Sequence, residues 1–269
     1  MSWGCREFER IWPSRLAQSM ESNSNKKKIL AVVPAYNEQE KIGQIVEKIR
    51  ESDKELDIVV IDDGSTDRTT ANARLADARV IRLSSNMGYG VALQTGYKYA
   101  MAGGYDYLVQ LDADGQHDPA YIPELLKVVI SGKADLALGS RFLRETTSGK
   151  STLRKYKAGT FRKLGISIFA FLTTRLVGLK VTDPTSGYQA FNKDVIAFFT
   201  QDFFPCDFPD ADVILMVHRA GFRIMEFPMA MYERDGEKSM HSGVKPVYYV
   251  FKMFLSMLMT LLRKRPALN

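Results

Sequence analysis

The chain has 269 residues, of which 45% are hydrophobic and 25% are charged, which fits one large domain with a substantial core and excludes a largely disordered protein. A formal net charge of +6 indicates an anionic partner such as a nucleotide phosphate or a membrane lipid; nucleic acid is disfavoured because no nucleic-acid-binding motif occurs. Two widely separated cysteines exclude a disulfide framework, and three scattered histidines form no zinc motif.

Residues 1–25 are predicted to be an irregular extension. They are not a signal peptide, because they lack its apolar core. From residue 26 onward, short apolar runs alternate with segments of helical periodicity. The predicted strands cover residues 29–33, 57–61, 80–83 and 107–111, and the predicted helices cover 39–52, 67–76 and 90–101. This alternation predicts an α/β domain over residues 26–240, with helices flanking a mostly parallel central sheet.

Polar clusters follow the predicted strands, at the positions where ligands bind in sheets of this kind. Residues 34–38 follow the first strand, residues 62–67 the second, and residues 112–117 the fourth. Three acidic clusters at one edge of a sheet repel one another unless a cation or a cationic ligand joins them. The sequence therefore predicts a cation-dependent site at this edge.

Asp112 and Asp114 are the candidate ligands of that cation. Gly115 permits the turn that lets both carboxylates face one pocket. Such oxygen ligands suit Mg²⁺ or Mn²⁺, which would bridge to substrate phosphates. An isolated Asp-x-Asp is more often a solvated turn, but the strand before it and Gln116 and His117 after it favour the metal site.

Two other clusters leave alternatives open. Residues 62–67 form either a turn in which Ser65 or Thr66 caps the next helix, or an acceptor for a nucleotide base or ribose hydroxyl. Residues 86–90 (Asn-Met-Gly-Tyr-Gly) do not have the spacing of a dinucleotide fingerprint. Their glycines are predicted to allow a tight helix entry and close approach of the backbone.

In this order, the clusters at 34–38, 62–67, 86–90 and 112–117 resemble the family 2 glycosyltransferases with the GT-A fold. Residues 139–141 (Gly-Ser-Arg) and 183–192 (Asp-Pro-Thr-Ser-Gly-Tyr-Gln-Ala-Phe-Asn) continue the match. The set is similar to the branch of dolichyl- and polyprenyl-phosphate sugar synthases and related polysaccharide enzymes. The resemblance covers roughly residues 28–240.

The resemblance implies roles for the residues that match the motifs. The metal would be bound by Asp112, Asp114 and Gln116, with Asp114 also close to the donor phosphates. Arg141 matches the arginine that meets the acceptor or donor phosphate. Four residues would frame the nucleotide, with the last of them near the base: Pro34, Tyr36, Glu38 and Asp63.

Two further segments matter for the chemistry that the resemblance implies. Other family members carry a catalytic acidic residue within the segment that corresponds to 207–212, and Asp210 matches its position best. Asp212 is next, although it could simply cap a helix over residues 213–220. Residues 232–239 resemble the Arg-x-x-Gly-x-Ser-Lys loop that closes over the diphosphate, which implies donor binding by Arg234. Here Lys238 precedes the serine instead of following it.

Two apolar segments carry basic residues. Residues 161–179 predict either an interfacial helix or a core-facing helix with a solvated basic face. Residues 247–262 are too short, at about 1.5 Å per residue, to cross a hydrocarbon core of about 30 Å. The C-terminal segment, 241–269, is therefore predicted to be an amphipathic membrane-associated helix, or one that docks on an integral-membrane partner protein.

Together these features predict a metal-dependent, inverting hexosyltransferase at the cytoplasmic face of a membrane. The donor would be a UDP- or GDP-sugar, and the acceptor a polyprenyl phosphate or a hydroxyl of a lipid-linked glycan. The alternative is a non-catalytic GT-A-fold subunit that recruits a membrane partner. The set of carboxylates in the metal motif argues against this alternative.

Overall fold

The computed structural model describes residues 27–143, 160–206, 209–231 and 245–263. The predicted extension 1–25, both predicted domain boundaries and the segment 232–239 lie outside these residues. The strands are β1 Ile29–Ala35, β2 Asp57–Asp62, β3 Arg79–Arg82, β4 Tyr107–Gln110, β5 Leu136–Ser140, β6 Gln189–Asn192 and β7 Ile224–Pro228. The helices are α1 Ile42–Ser52, α2 Thr69–Leu75, α3 Tyr89–Ala102, α4 Ile122–Ile130, α5 Thr160–Val177, α6 Lys193–Phe199, α7 Ala211–Arg219 and α8 Lys245–Leu262.

The strands form one sheet in the order β3-β2-β1-β4-β6-β5-β7. The first four positions in this order are parallel neighbours, and β5 is parallel to β7. Strand β6 lies antiparallel between β4 and β5. The predicted mostly parallel sheet is therefore confirmed. Because β6 runs in the opposite direction, the chain just before it lies at the edge where β4 and β5 end.

Both faces of the sheet are covered, which explains why the strands read as continuous apolar runs. Along β1, Leu30 and Val32 pack with helices α3, α6 and α7, whereas Ala31 and Val33 pack with α1 and α4. This alternation follows from the two-residue period of a strand. Helix α1 buries its apolar residues at the predicted helical spacing: Ile42, Ile45, Val46 and Ile49.

Helices α5, α7 and α8 meet in a separate small cluster. Its buried members are Phe169 of α5, Ala211 of α7, and Met253 and Met257 of α8. Helix α5 therefore has a core-facing side, although Phe171 on the same helix is 65% exposed. Among the residues that the structure describes, no helix has both the length and the apolar character needed to cross a bilayer.

Removal of the buried Tyr97 hydroxyl tests how much a buried hydrogen bond stabilises the interior. It donates to the side-chain oxygen of Gln110, whose amide donates to the Gly187 carbonyl over 3.1 Å. Tyr97→Phe removes this donor from a buried acceptor, so we expect the free energy of unfolding to fall by about 1–3 kcal/mol. The measurement is urea denaturation.

The control is Tyr99→Phe on the same helix, where the hydroxyl accepts from Arg79 in an exposed hydrogen bond of 2.7 Å. Water replaces that bond, so the loss should stay below about 0.5 kcal/mol. Equal losses for the two variants would contradict the buried-acceptor argument.

Candidate active site

The loops after β1 and β2 are joined by hydrogen bonds. The amides of Asn37 and Glu38 donate to the hydroxyls of Ser65 over 2.9 Å and Thr69 over 2.8 Å. In return, the Thr66 amide donates to the Asn37 side chain over 2.9 Å. The two loops therefore form one rigid wall of the site.

The predicted nucleotide-side residues lie along this wall. Pro34 is buried at the end of β1, in register with Ile61 of β2. Tyr36 is 45% exposed and Glu38 is half-buried. The sheet register, in which Ala35 pairs with the residue before Asp63, brings this group beside Asp63. Tyr36 and Glu38 are therefore accessible to a ligand, as a nucleotide site requires.

Asp63 connects the wall to the segment before α3. It is 4% exposed, and its two oxygens accept from the amides of Met87 over 2.7 Å and Gly88 over 3.0 Å. A contact from Asp63 to the nucleotide base stays a prediction, since the structure shows the carboxylate holding a loop. The predicted cap by Ser65 or Thr66 is wrong, because α2 begins at Thr69 and the Thr69 amide is met by Asp67 over 2.9 Å.

The glycines at 88 and 90 serve as predicted. Gly88 precedes the first residue of α3 and stands at its N-cap. A Cβ at Gly90 would lie 2.1 Å from the Pro205 carbonyl oxygen, so only a glycine admits this close approach. The tight helix entry and the close backbone contact are both confirmed.

Asp112, two residues after the end of β4, is held from two sides. The Tyr89 hydroxyl donates to its Oδ1 over 2.7 Å. On the other side the backbone of Gly187 packs so closely that a Cβ there would lie 2.8 Å from Oδ2. Sequence reasoning missed Tyr89 and Gly187 as site residues. Tyr89 belongs to the motif at residues 86–90 and Gly187 to the motif at residues 183–192. Their place in these motifs is the signal that could have identified them.

The other predicted metal ligands lie in the same turn. Asp114 accepts from the Gln116 amide over 3.0 Å, and Asp112, Asp114 and Gln116 are all half-buried. The described residues contain no group of three or more His, Cys, Asp or Glu side chains suited to a metal ion. Two carboxylates completed by substrate phosphates and water are, however, a usual site for Mg²⁺. The donor set therefore fits such a cation.

His117 lies buried beneath the metal motif. Its Nδ1 accepts from the Asp112 amide over 3.2 Å, and burial lowers the pKa of His117 to about 4. The ring is therefore neutral with its proton on Nε2, and the 3.6 Å approach of Nδ1 to the Asp112 carboxylate is not an ion pair. The charges of Asp114 and Asp183 act to raise the pKa of His117 and the charge of Arg141 acts to lower it, but burial is the largest effect.

Arg141, which directly follows β5, is held in a buried ion pair. Its Nε and Nη2 donate to the two oxygens of Asp183 over 2.6 Å and 2.5 Å, and Nη2 also donates to Thr185 over 2.9 Å. The Arg141 side chain is only 4% exposed and that of Asp183 is 0% exposed. Asp183 thus fixes the orientation of the guanidinium. A contact between Arg141 and a phosphate stays a prediction.

Glu226 of β7 holds the backbone that carries Asp183 of this ion pair. It accepts from the amides of Thr182 over 2.7 Å and Asp183 over 2.9 Å. Burial raises the pKa of Glu226, although these donors act in the opposite direction. The last strand of the sheet therefore helps to position the ion pair.

The chain a few residues before Asp210 packs beside Tyr89, since a Cβ at Gly88 or Gly90 would lie 3.4 Å or 2.1 Å from the carbonyl oxygen of Cys206 or Pro205. Burial raises the pKa of Tyr89 well above its usual value, the charge and hydrogen bond of Asp112 raise it further, and Asp210 adds a smaller effect of the same sign. Tyr89 therefore lies near both carboxylates. A catalytic role for Asp210 stays a prediction.

Arg234 lies outside the described residues. The chain that leads to it is nevertheless anchored at the site, because Met231 forms an antiparallel bridge with His117. Donor binding by Arg234 stays a prediction.

Comparison with known proteins gives a consistent result. Residues 30–199 match the family model described as Glycosyl transferase family 2. The undecaprenyl-phosphate mannosyltransferase of Micrococcus luteus is 34% identical over 226 residues, which cover 81% of this chain and 89% of the relative. The polyprenol monophosphomannose synthase of Mycolicibacterium smegmatis is 33% identical over 235 residues, which cover 83% and 84%.

Solved structures agree on the fold. Glucosyl-3-phosphoglycerate synthase of Mycobacterium tuberculosis, in complex with Mn²⁺ and UDP-glucose, superposes with a TM-score of 0.63 at 20% identity. The match covers 93% of this chain and 83% of that structure. At this identity the likeness establishes the GT-A-like α/β fold, with a mostly parallel sheet flanked by helices.

Exchange of backbone amides tests the role assigned to Asp63. Asp63→Asn replaces one of two acceptor oxygens with a donor, so one of the amides of Met87 and Gly88 loses its partner. We expect faster hydrogen–deuterium exchange at residues 87–88. Asp77→Asn is the control, since Asp77 is 92% exposed on another surface. Unchanged exchange at 87–88 in Asp63→Asn would contradict this role.

Proposed function

Because the chain belongs to glycosyl transferase family 2, we propose that it transfers a hexosyl group from a nucleoside-diphosphate sugar to a polyprenyl phosphate. The observation that carries this proposal is the half-buried turn of Asp112 and Asp114. The Tyr89 hydroxyl holds Asp112 there, and the loop whose Asp183 pairs with Arg141 reaches Asp112 at Gly187. Two relatives support the lipid-phosphate acceptor, since one is named for undecaprenyl phosphate and the other for polyprenol monophosphomannose.

The proposed reaction inverts the anomeric carbon. An oxygen of the acceptor phosphate forms a bond to that carbon while the bond to the donor diphosphate breaks. The electron pair of the broken bond leaves with the nucleoside diphosphate. Because a lipid phosphate is already anionic, the attack needs no strong general base.

Asp112, Asp114 and Gln116 are proposed to hold Mg²⁺ or Mn²⁺. The bound cation supplies positive charge that stabilises the departing diphosphate. The hydrogen bonds from the Tyr89 hydroxyl to Asp112 and from the Gln116 amide to Asp114 orient the two carboxylates. Such partners of metal ligands commonly affect affinity for the ion.

The nucleotide is proposed to lie along the wall formed by the loops after β1 and β2. Tyr36 and Glu38 offer it an accessible surface, and Pro34 and Asp63 fix the loops behind them. Arg234, carried by the segment after Met231, is proposed to bind the donor diphosphate. Either UDP or GDP fits this arrangement.

The protein is proposed to work as a peripheral protein at the cytoplasmic face of a membrane. Support comes from helices α5 and α8, which carry basic residues and no acidic ones. Both helices also expose large apolar side chains. An integral-membrane partner protein is a second way in which the same surface could be held at the membrane.

The first test is nucleotide release from a panel of UDP- and GDP-sugars, with Mg²⁺ or Mn²⁺ and with or without polyprenyl phosphate. We expect turnover that needs both the metal and the lipid. Asp114→Asn should lower kcat/KM by roughly 100-fold or more, since it removes charge at the departing diphosphate. Asp118→Asn is the matched control, because asparagine serves equally well at its capping position.

Each other outcome has a distinct meaning. Metal-dependent donor binding without turnover on the lipid phosphate would point to a hydroxyl of a lipid-linked glycan as the acceptor. Failure to bind any donor would reject the enzyme and favour the non-catalytic subunit. Equal effects of the two substitutions would reject the proposed metal site.

The variant Asp210→Asn distinguishes the two acceptors. A phosphate acceptor needs no base, so kcat on polyprenyl phosphate should stay within about tenfold of the wild type. With a lipid-linked glycan as the acceptor, a loss of about 100-fold or more would indicate that the Asp210 carboxylate removes a proton from a sugar hydroxyl. Donor binding, measured calorimetrically, is the control that the variant retains its fold.

A further inference from the structure

Helices α7 and α8 lie side by side and run in the same direction. The Ser256 hydroxyl of α8 donates to Asp212 in the first turn of α7. Seven residues further along the chain in each case, Arg219 at the end of α7 donates to the carbonyl of Arg263, the residue after α8, over 3.0 Å. The two helices are therefore in register along this length. The earlier part of α8 continues beyond the start of α7, on the side where Asp210 lies.

Asp212 joins α8 to the backbone of Asp210. It is 0% exposed, and its Oδ1 accepts from the amides of Asp210 over 3.0 Å and Val213 over 2.9 Å. Its Oδ2 accepts from Ser256. Burial raises the pKa of Asp212, so each donor offsets part of a desolvation penalty. Loss of the Ser256 hydroxyl would leave the buried carboxylate short of one donor.

Helix α8 has a small buried side and a large exposed apolar side. Met253 and Met257 are buried in a cluster that is separate from the two main cores. Large apolar residues on the same helix remain exposed, and the exposed fraction reaches 73% at Leu262. These residues are Phe251, Phe254, Leu255, Leu258, Met259 and Leu262. A contiguous surface of this kind marks an interaction site.

The charge of helices α5 and α8 favours an anionic bilayer as the occupant of this surface. Helix α5, whose Phe169 ring lies 5.3 Å from that of Phe254, adds the exposed side chains of Ile168 and Phe171. Neither α5 nor α8 contains an acidic residue, whereas five basic residues occur in them. These are Arg162, Lys163, Arg175, Lys245 and Lys252. Exposed apolar side chains with basic neighbours bind the interface of anionic membranes.

We propose that binding of α8 to an anionic bilayer orders the segment of Asp210 through the Ser256–Asp212 hydrogen bond, and so stimulates sugar transfer. This inference rests on the proposed function. Asp212 is in this view a positioning residue. It acts through the backbone at Asp210, which follows the Pro205 and Cys206 carbonyls packed against Gly88 and Gly90, and not through the Asp210 carboxylate. A bilayer that binds α8 more tightly when Ser256 is bonded to Asp212 stabilises this conformation, because tighter binding to one conformation increases its population. Turnover would then be greatest at the surface that holds the acceptor.

The experiment compares wild type with Ser256→Ala, Ser256→Thr and the control Ser131→Ala. The Ser131 hydroxyl also donates a hydrogen bond, to the Val128 carbonyl over 3.1 Å. Ser131 stands at the C-terminal cap of α4, which packs on the opposite face of the sheet from α7. The probe is a phosphatidylcholine–phosphatidylglycerol vesicle without polyprenyl phosphate. Two readouts are taken with and without vesicles: amide exchange at Asp210 and Val213, and transfer to a short-chain, water-soluble prenyl phosphate.

In wild type, we expect vesicles to slow exchange at both amides and to raise kcat by about fivefold or more, a usual size for coupling between two sites. Ser131→Ala should behave identically. Ser256→Ala should still sediment with vesicles but lose both responses, and Ser256→Thr, which keeps a hydroxyl, should restore them.

Two results would overturn the inference. One is a full vesicle response in Ser256→Ala, and the other is the absence of any vesicle effect on the two amides in wild type. The exchange readout does not depend on turnover. An exchange response without transfer to any acceptor would therefore reject the proposed function and leave the coupling between α8 and Asp212 intact.

Discussion

The site depends on how the fold supplies hydrogen-bond donors to carboxylates that are largely removed from water. A buried carboxylate without donors carries a penalty of several kcal/mol, on the order of the stability of a whole domain. Each acidic residue here is met by a different kind of donor: backbone amides at Asp63, a phenol at Asp112, a guanidinium at Asp183 and a serine at Asp212. Because these donors come from different elements, the carboxylates also fix the elements against one another.

Much of the architecture could be predicted because the signals are local. The apolar runs at 29–33 and 57–61 correspond to β1 and β2, and the spacing of Ile42 to Ile49 predicted α1. The rule that ligands bind beyond the ends of parallel strands was enough to place the acidic clusters at one edge. The membership of the family followed from the order of the clusters, and the comparisons confirm it.

The contacts that complete the site could not be predicted from the sequence. Tyr89 and Asp112 are 23 residues apart, and Arg141 and Asp183 are 42 apart. No local pattern indicates such pairs, since they arise from the order of strands in the sheet. No pattern in the sequence indicated that β6 runs antiparallel to β4. This direction is the reason that Gly187, just before β6, lies against Asp112. The wrong expectation for Ser65 and Thr66 has a similar cause, because those residues bond to Asn37 of another loop.

The insertion of β6 beside β4 also has a consequence for how the protein is made. The outer edge of β4 pairs with Gln189–Asn192, roughly eighty residues further along the chain. At about 5–20 residues per second, a ribosome needs on the order of 4–16 seconds to synthesise that stretch. During this time β4 presents an unpaired edge, which is a template for association with other chains. Until β6 has been synthesised, the nascent chain therefore exposes an edge that can pair with other chains, on the strand that precedes the metal motif.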